Sequence, residues 1–185
     1  TQVIPFDESR IRDANAFEIE RGGQVFFVHS RVENIKGVAG MISRLVPDAR
    51  VGVGHGQMEG KELEKLMMGF MEGEYDVLVS TTIVENGLDV PNANTMLIHQ
   101  AQNFGLSDLH QMRGRVGRGN RKAFCYLIAP PLTHMNDEAR KRLQAIEQFS
   151  DLGSGFNIAM RDLESRGGGD LLGAEQSGFI SDMGF

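Results

Sequence analysis

Five short apolar runs alternate with stretches in which apolar residues recur at helical spacing, and this alternation constrains the fold more than any other feature. The runs are QVFFVH (24–29), ARVGVG (49–54), DVLVS (76–80), TMLIHQ (95–100) and KAFCYLI (122–128). Each reads as a strand, and the first, a short apolar run, is expected to be buried on both faces. Between the first two, Arg31–Val46 carries Val32, Ile35, Val38, Ala39, Ile42 and Leu45 at helical intervals, and Pro47 closes the helix. Between the second and third, Glu59–Met71 sets Leu63, Leu66, Met67 and Phe70 on one face. Strand, helix and strand in this order form a right-handed crossover between parallel neighbours. The expected class is therefore α/β, a parallel sheet with flanking helices.

The flanks extend this pattern. ESRIRDANAFEIER (8–21), charged with apolar residues at Ile11, Ala14, Phe17 and Ile19, predicts a first helix that ends at Gly22-Gly23. Ser107 is the expected N-cap of a helix running to Met112. After Pro130-Pro131 strand signals cease. Asn136 or Thr133 caps a helix through Phe149, with Ala139, Leu143, Ile146 and Phe149 on one face. DLGSG, FNIAMRDLES and a glycine-rich tail follow. A boundary is expected near residue 132, between an α/β domain and a helical appendage.

Composition limits the partners. The 185 residues carry a formal charge of −6, against binding nucleic acid by bulk charge, so any such contact must come from local patches. Cys125 is the lone cysteine and sits in AFCYLI, which suits a small core residue in a reduced, cytoplasmic compartment. No run of eighteen apolar residues and no signal pattern occurs in the sequence, so no membrane partner is expected.

Three loops lie where open α/β sheets bind ligands, beyond the carboxyl ends of strands. HSRVEN (29–34) offers Ser30, Arg31 and Asn34 as donors at a helix start, although an ordinary N-cap has the same composition. STTIVENGLDVPNAN (80–94) places two threonines after an apolar strand, then Gly87 and Asp89 around Leu88. Hydroxyls and backbone N–H groups suit a nucleic-acid backbone, and a carboxylate accepts from a ribose hydroxyl. So long a loop in a compact domain is more often functional than a plain connection. LHQMRGRVGRGNRKAF (109–124) gathers Arg113, Arg115, Arg118, Arg121 and Lys122, with no acidic residue between Asp108 and Asp137. Gln111, Arg115 and Arg118 are expected on a helix ending in glycines. Guanidinium forks there match phosphate oxygens; a solvated basic face is the competing reading. VGVGHG is not G-x-G-x-x-G, no Walker A loop occurs, and the histidines lack metal spacing, so no metal site is expected in this chain.

Taken together, VHSRVENI, GHGQM, VLVSTTIVENGLDVPNANTMLI and QMRGRVGR resemble, in order and separation across residues 24–129, the motifs of the second RecA-like domain of superfamily-two helicases and translocases. The resemblance implies that residues 1–132 are a C-terminal RecA-like helicase lobe. It implies that Arg115 and Arg118 are arginine fingers facing the γ-phosphate, with Gln111 beside them. Gly87 and Asp89 then sit near the nucleotide. Ser30, Arg31, His55, Gly56, Thr81 and Thr82 then line a DNA backbone track.

KRLQAIEQFSDLGSGFNIAMRDLESRGGGDLLGAEQSG (141–178) resembles the TRG motif shared by RecG-type helicases and bacterial transcription-repair coupling factors, a helical hairpin and returning loop. That makes 133–185 the hairpin and loop, with Arg142, Arg166 and Gln176 as its coupling residues. GHGQM and QSGFISDMGF resemble the coupling factors more than the RecG-type proteins. The implied reaction is hydrolysis of ATP with Mg2+, whose ligands come mainly from a first RecA-like lobe of the same full-length chain. The implied partners are double-stranded DNA and, through other domains, RNA polymerase and excision-repair proteins. A chain without Walker motifs is expected to be inactive alone. A RecG-type repair helicase and a non-catalytic nucleic-acid-binding α/β module are the alternatives.

Overall fold

A computed structural model describes residues 1–81, 92–116 and 122–149. The strands are β1 (Gln2–Ile4), β2 (Gln24–Val28), β3 (Val51–Gly54), β4 (Val77–Ser80), β5 (Ala93–Ile98) and β6 (Phe124–Ile128). The helices are α1 (Glu8–Glu20), α2 (Ile35–Leu45), α3 (Gly60–Met71), α4 (Leu106–Arg113) and α5 (Asp137–Phe149). All the pairings are parallel, in one six-stranded sheet of order β1-β6-β5-β2-β4-β3.

Strand periodicity divides the core in two. Phe26, Val28, Leu78, Met96, Ile98 and Leu127 point to one face. There they meet Leu66 and Phe70 of α3, Leu109 and Met112 of α4, and Leu143 and Ile146 of α5. Val25, Phe27, Val77, Val79 and Leu97 point to the other, against Ile11 and Ala14 of α1 and Ile35, Val38 and Ile42 of α2. Helices on both faces explain why the strands read as unbroken apolar runs. This is the RecA-like arrangement, with β2 at the centre. Cys125 is buried in the core.

Local chemistry moves several boundaries. The helix after β2 begins at Ile35 rather than Arg31, because Asn34 takes the left-handed conformation (φ 67°), which an asparagine tolerates. Gly105, not Ser107, occupies the N-cap of α4. Asn136 caps α5, its Oδ1 accepting from the Ala139 N–H at 2.7 Å, while Thr133 belongs to a 3₁₀ turn. The buried stripe of α1 is Ile11, Ala14, Asn15 and Glu18, a spacing of three and four. Phe17 lies off that stripe and is exposed, and Ile19 is only half-buried. Strand β1, unforeseen, pairs with β6 in register Ile4↔Ile128.

Candidate nucleotide and nucleic-acid site

The registers Val28↔Ser80, Gly54↔Ser80 and Val28↔Ile98 bring the carboxyl ends of β2, β3, β4 and β5 to one level. The ladder continues one residue further. The His29 N–H donates to the Ser80 carbonyl at 2.8 Å, Thr81 N–H to Gly54 at 3.2 Å, and His99 N–H to Val28 at 2.9 Å. The rim above these strands therefore collects Ser30, His55, Thr81 and His99 from four separate segments. Three of the expected backbone-track residues, Ser30, His55 and Thr81, are brought together here.

The rim has the polar character such a track needs. Ser30 Oγ, Ser80 Oγ and Thr81 Oγ1 are buried and have no hydrogen-bond partner among the described residues. A buried hydroxyl without a partner costs about 1–3 kcal/mol, so native structures keep few of them. His55 shapes its own turn: its Nδ1 accepts from the Gln57 N–H at 3.2 Å and its carbonyl from Met58 N–H at 3.1 Å. Gly56 and Arg31 are exposed.

The arginine segment departs from expectation. α4 ends at Arg113 with Gly114 as its C-cap, so Arg115 is carried by a tight turn, not by the helix. Glycine is a poor helix former, and the turn closes through Arg115 N–H to Met112 at 3.0 Å. Gln111 is exposed on the last turn of α4, and Arg115 is half-buried. Arg142 of α5 reaches back, its Nη2 donating to the Gln102 carbonyl at 3.1 Å, in the turn that leads to α4. Thr82, Gly87, Asp89, Arg118, Arg166 and Gln176 lie outside the described residues.

Two residues of the rim escaped the sequence reading. His29 and His99 stack with ring centroids 5.1 Å apart and Nδ1 atoms 3.0 Å apart. Burial pushes His99 down to about 4, helped by the neighbouring His29. Burial also lowers His29, with Arg31 acting in the same direction. Both apolar runs end in histidine, VFFVH and MLIH, and that signal needed only the adjacency of β2 and β5 to be read. Among the described residues no three His, Cys, Asp or Glu side chains gather as a metal site, and no helix is long and apolar enough to cross a membrane.

Residues 9–120 match the family described as helicase conserved C-terminal domain. The chain is 53% identical over all 185 residues to the transcription-repair-coupling factor of Bacillus subtilis, and 49% identical to that of Staphylococcus epidermidis. It spans only 16% of the length of these relatives. A solved structure of RecG bound to a three-way DNA junction superposes with a TM-score of 0.71 at 37% identity, over 98% of this chain and 24% of that one. The C-terminal domain of the DEAD-box protein Dbp5 shares the fold, with a TM-score of 0.57 at 18% identity over 80% of this chain and 82% of that one. The family match and the parallel RecA-like sheet agree, and the chain belongs to the family of helicase conserved C-terminal domains.

Proposed function

We propose that this chain is the second motor lobe of an ATP-dependent double-stranded DNA translocase of the transcription-repair-coupling kind. The observation that carries the reading is the 53% identity to a coupling factor along the whole chain, including its C-terminal third. The rim chemistry supports it. Ser30, Thr81 and Thr82 hydroxyls, with Arg31 and the His55-Gly56 turn, suit successive phosphates of a DNA backbone. ATP is bound between this lobe and a first lobe, which supplies the phosphate-cradling loop, the Mg2+ ligands and the activation of water. From this side Gln111, Arg115 and Arg118 approach the γ-phosphate, and Gly87 and Asp89 approach the nucleotide. Guanidinium groups there stabilise charge that develops on the transferred phosphoryl, an effect of about 10³–10⁵ in rate in well-studied nucleotide hydrolases.

Cycles of closure on ATP and release after hydrolysis advance the two lobes along DNA. Residues 133–185 form the coupling hairpin and loop in this reading, with Arg142, Arg166 and Gln176 transmitting the motion. Other domains of the full-length protein then displace RNA polymerase and recruit excision repair in the cytoplasm.

The test is Arg118→Ala in the full-length protein. DNA-stimulated hydrolysis is expected to vanish while the fold survives, and the 185-residue chain alone is expected to hydrolyse no ATP. Normal hydrolysis by Arg118→Ala, or magnesium-dependent hydrolysis by the isolated chain, would sink the assignment. A RecG-type repair helicase is the second reading, favoured by the TM-score of 0.71 to RecG on a DNA junction. Displacement of stalled polymerase against reversal of a model fork separates the two.

A further inference from the structure

In the proposed reading the nucleotide contacts come from the two segments that precede β5 and β6 in the sequence. The starts of both strands are tied to one turn of chain, residues 18–24. Glu18 is fully buried at 0% exposure, and Thr95 beside it at 1%. The Thr95 hydroxyl donates to Glu18 Oε1 at 2.5 Å. Arg21 donates from Nε to Glu18 Oε2 at 2.9 Å and from Nη2 to Oε1 at 2.7 Å. The same Nη2 donates to the Lys122 carbonyl at 2.6 Å. The guanidinium also lies 5.2 Å from the ring centres of Phe17 and Phe124. The turn holds β5 a second time, through Asn92 Nδ2 to the Gly22 carbonyl at 2.9 Å and Gln24 N–H to the Asn92 carbonyl at 2.9 Å.

Stability alone does not explain a charged pair here. Apolar residues of the same volume often serve as well in a core, because desolvating two ions offsets most of their attraction. A carboxylate and a guanidinium fork supply direction instead: they fix distances and angles among the groups they join. Those groups stand at the starts of β5 and β6.

We propose that Glu18 and Arg21 are a positioning pair for ATP hydrolysis, setting the start of β5, which Gly87 and Asp89 precede in the sequence, against the start of β6, which Arg118 precedes. The inference rests on the proposed motor function. Lysine at position 21 keeps the charge but has no fork to join Glu18 and the Lys122 carbonyl together. Valine at position 95 keeps the shape of the β-branched side chain and removes the hydroxyl.

The test is steady-state ATP hydrolysis by the full-length protein with and without duplex DNA, for Arg21→Lys, Thr95→Val and their combination. Ile42→Val, a residue of α2 in the core on the same face of the sheet as α1, serves as a packing control. For Arg21→Lys, DNA-stimulated kcat is expected to fall roughly tenfold to a hundredfold, as a small misplacement of catalytic groups costs. KM for ATP is expected to hold within about twofold, the pattern of an interaction made only in the transition state. Thr95→Val falls in the same direction by less, and the double variant falls by less than the product of the two, because the groups act as one unit.

Unchanged kcat in Arg21→Lys overturns the inference. So does an equal loss in Ile42→Val, which would make the effect one of general packing. Absence of DNA-stimulated hydrolysis in the unaltered full-length protein overturns the motor reading itself, and that failure appears before any substitution is made.

Discussion

His29 and His99 meet Nδ1 to Nδ1 at 3.0 Å, so one ring donates a proton to the other and the two cannot both be charged without breaking that bond. The pair sits at the ends of adjacent strands, with Phe6 against His99 at 5.4 Å between ring centres. The groups around it are Arg31 and Glu33, which act on His29 in opposite directions, and burial dominates both rings.

A pH dependence of stability follows. Unfolded histidine titrates near 6.5, while folded His99 is pushed down to about 4 and His29 is also lowered. Between those values the unfolded chain binds more protons than the folded one. Stability is therefore full above the unfolded pKa and is lost as pH falls towards about 4. Melting of the chain from about pH 7 down to about pH 5 should show a falling midpoint, and His99→Phe should flatten that slope. Parallel slopes for the two proteins would remove the pair as the cause.

Gly23 is required for space, not for backbone freedom. A Cβ built there would lie 1.8 Å from Glu18 Oε2, the oxygen that accepts from Arg21 Nε. Gly23→Ala should destabilise the chain by about 1–3 kcal/mol, the usual cost of overpacking. Denaturant unfolding measures this. Gly40→Ala, where nothing lies within 4 Å of the added carbon, should be neutral or slightly stabilising, as alanine favours a helix interior.

The last described helix belongs energetically to the sheet. Leu143 of α5 is fully buried in the same cluster as Phe26 and Met96. Leu143→Ala should cost about 2–5 kcal/mol, against less than about 0.5 kcal/mol for Leu132→Ala at the exposed surface before it. Equal small losses at both would mean that α5 does not pack on the core.

The centre of the sheet was legible because β2, β4 and β5 are buried on both faces, which leaves their composition no polar alternation to blur them. Strand β1 was not, since QVI is three residues long, begins with a polar side chain and precedes Pro5. Its pairing with β6 is a contact across most of the chain. Helix boundaries failed where a single backbone choice decides them, as at left-handed Asn34 and at Gly114 ahead of Arg115. The rim residues Ser30, His55 and Thr81 were legible as motif positions. Glu18 was not, because a glutamate in a charged helix reads as a solvated face until Thr95 and Arg21 are brought beside it.

Thr81 carries a conflict between stability and function. Its side chain is buried at the end of β4, and its hydroxyl has no partner among the described residues. An apolar replacement of the same shape removes a desolvated polar group, so Thr81→Val should raise stability by about 1 kcal/mol. In the full-length protein the same change removes a proposed hydrogen bond to a DNA phosphate. Affinity for duplex DNA should fall several-fold. The slope of affinity against salt should stay as in the unaltered protein, because no cation is lost. Arg31→Ala should do the opposite, lowering the salt slope by about 1. A Thr81→Val protein that is more stable and binds DNA normally would show the hydroxyl to be incidental. One that is less stable would show that the hydroxyl already has a partner in the folded chain.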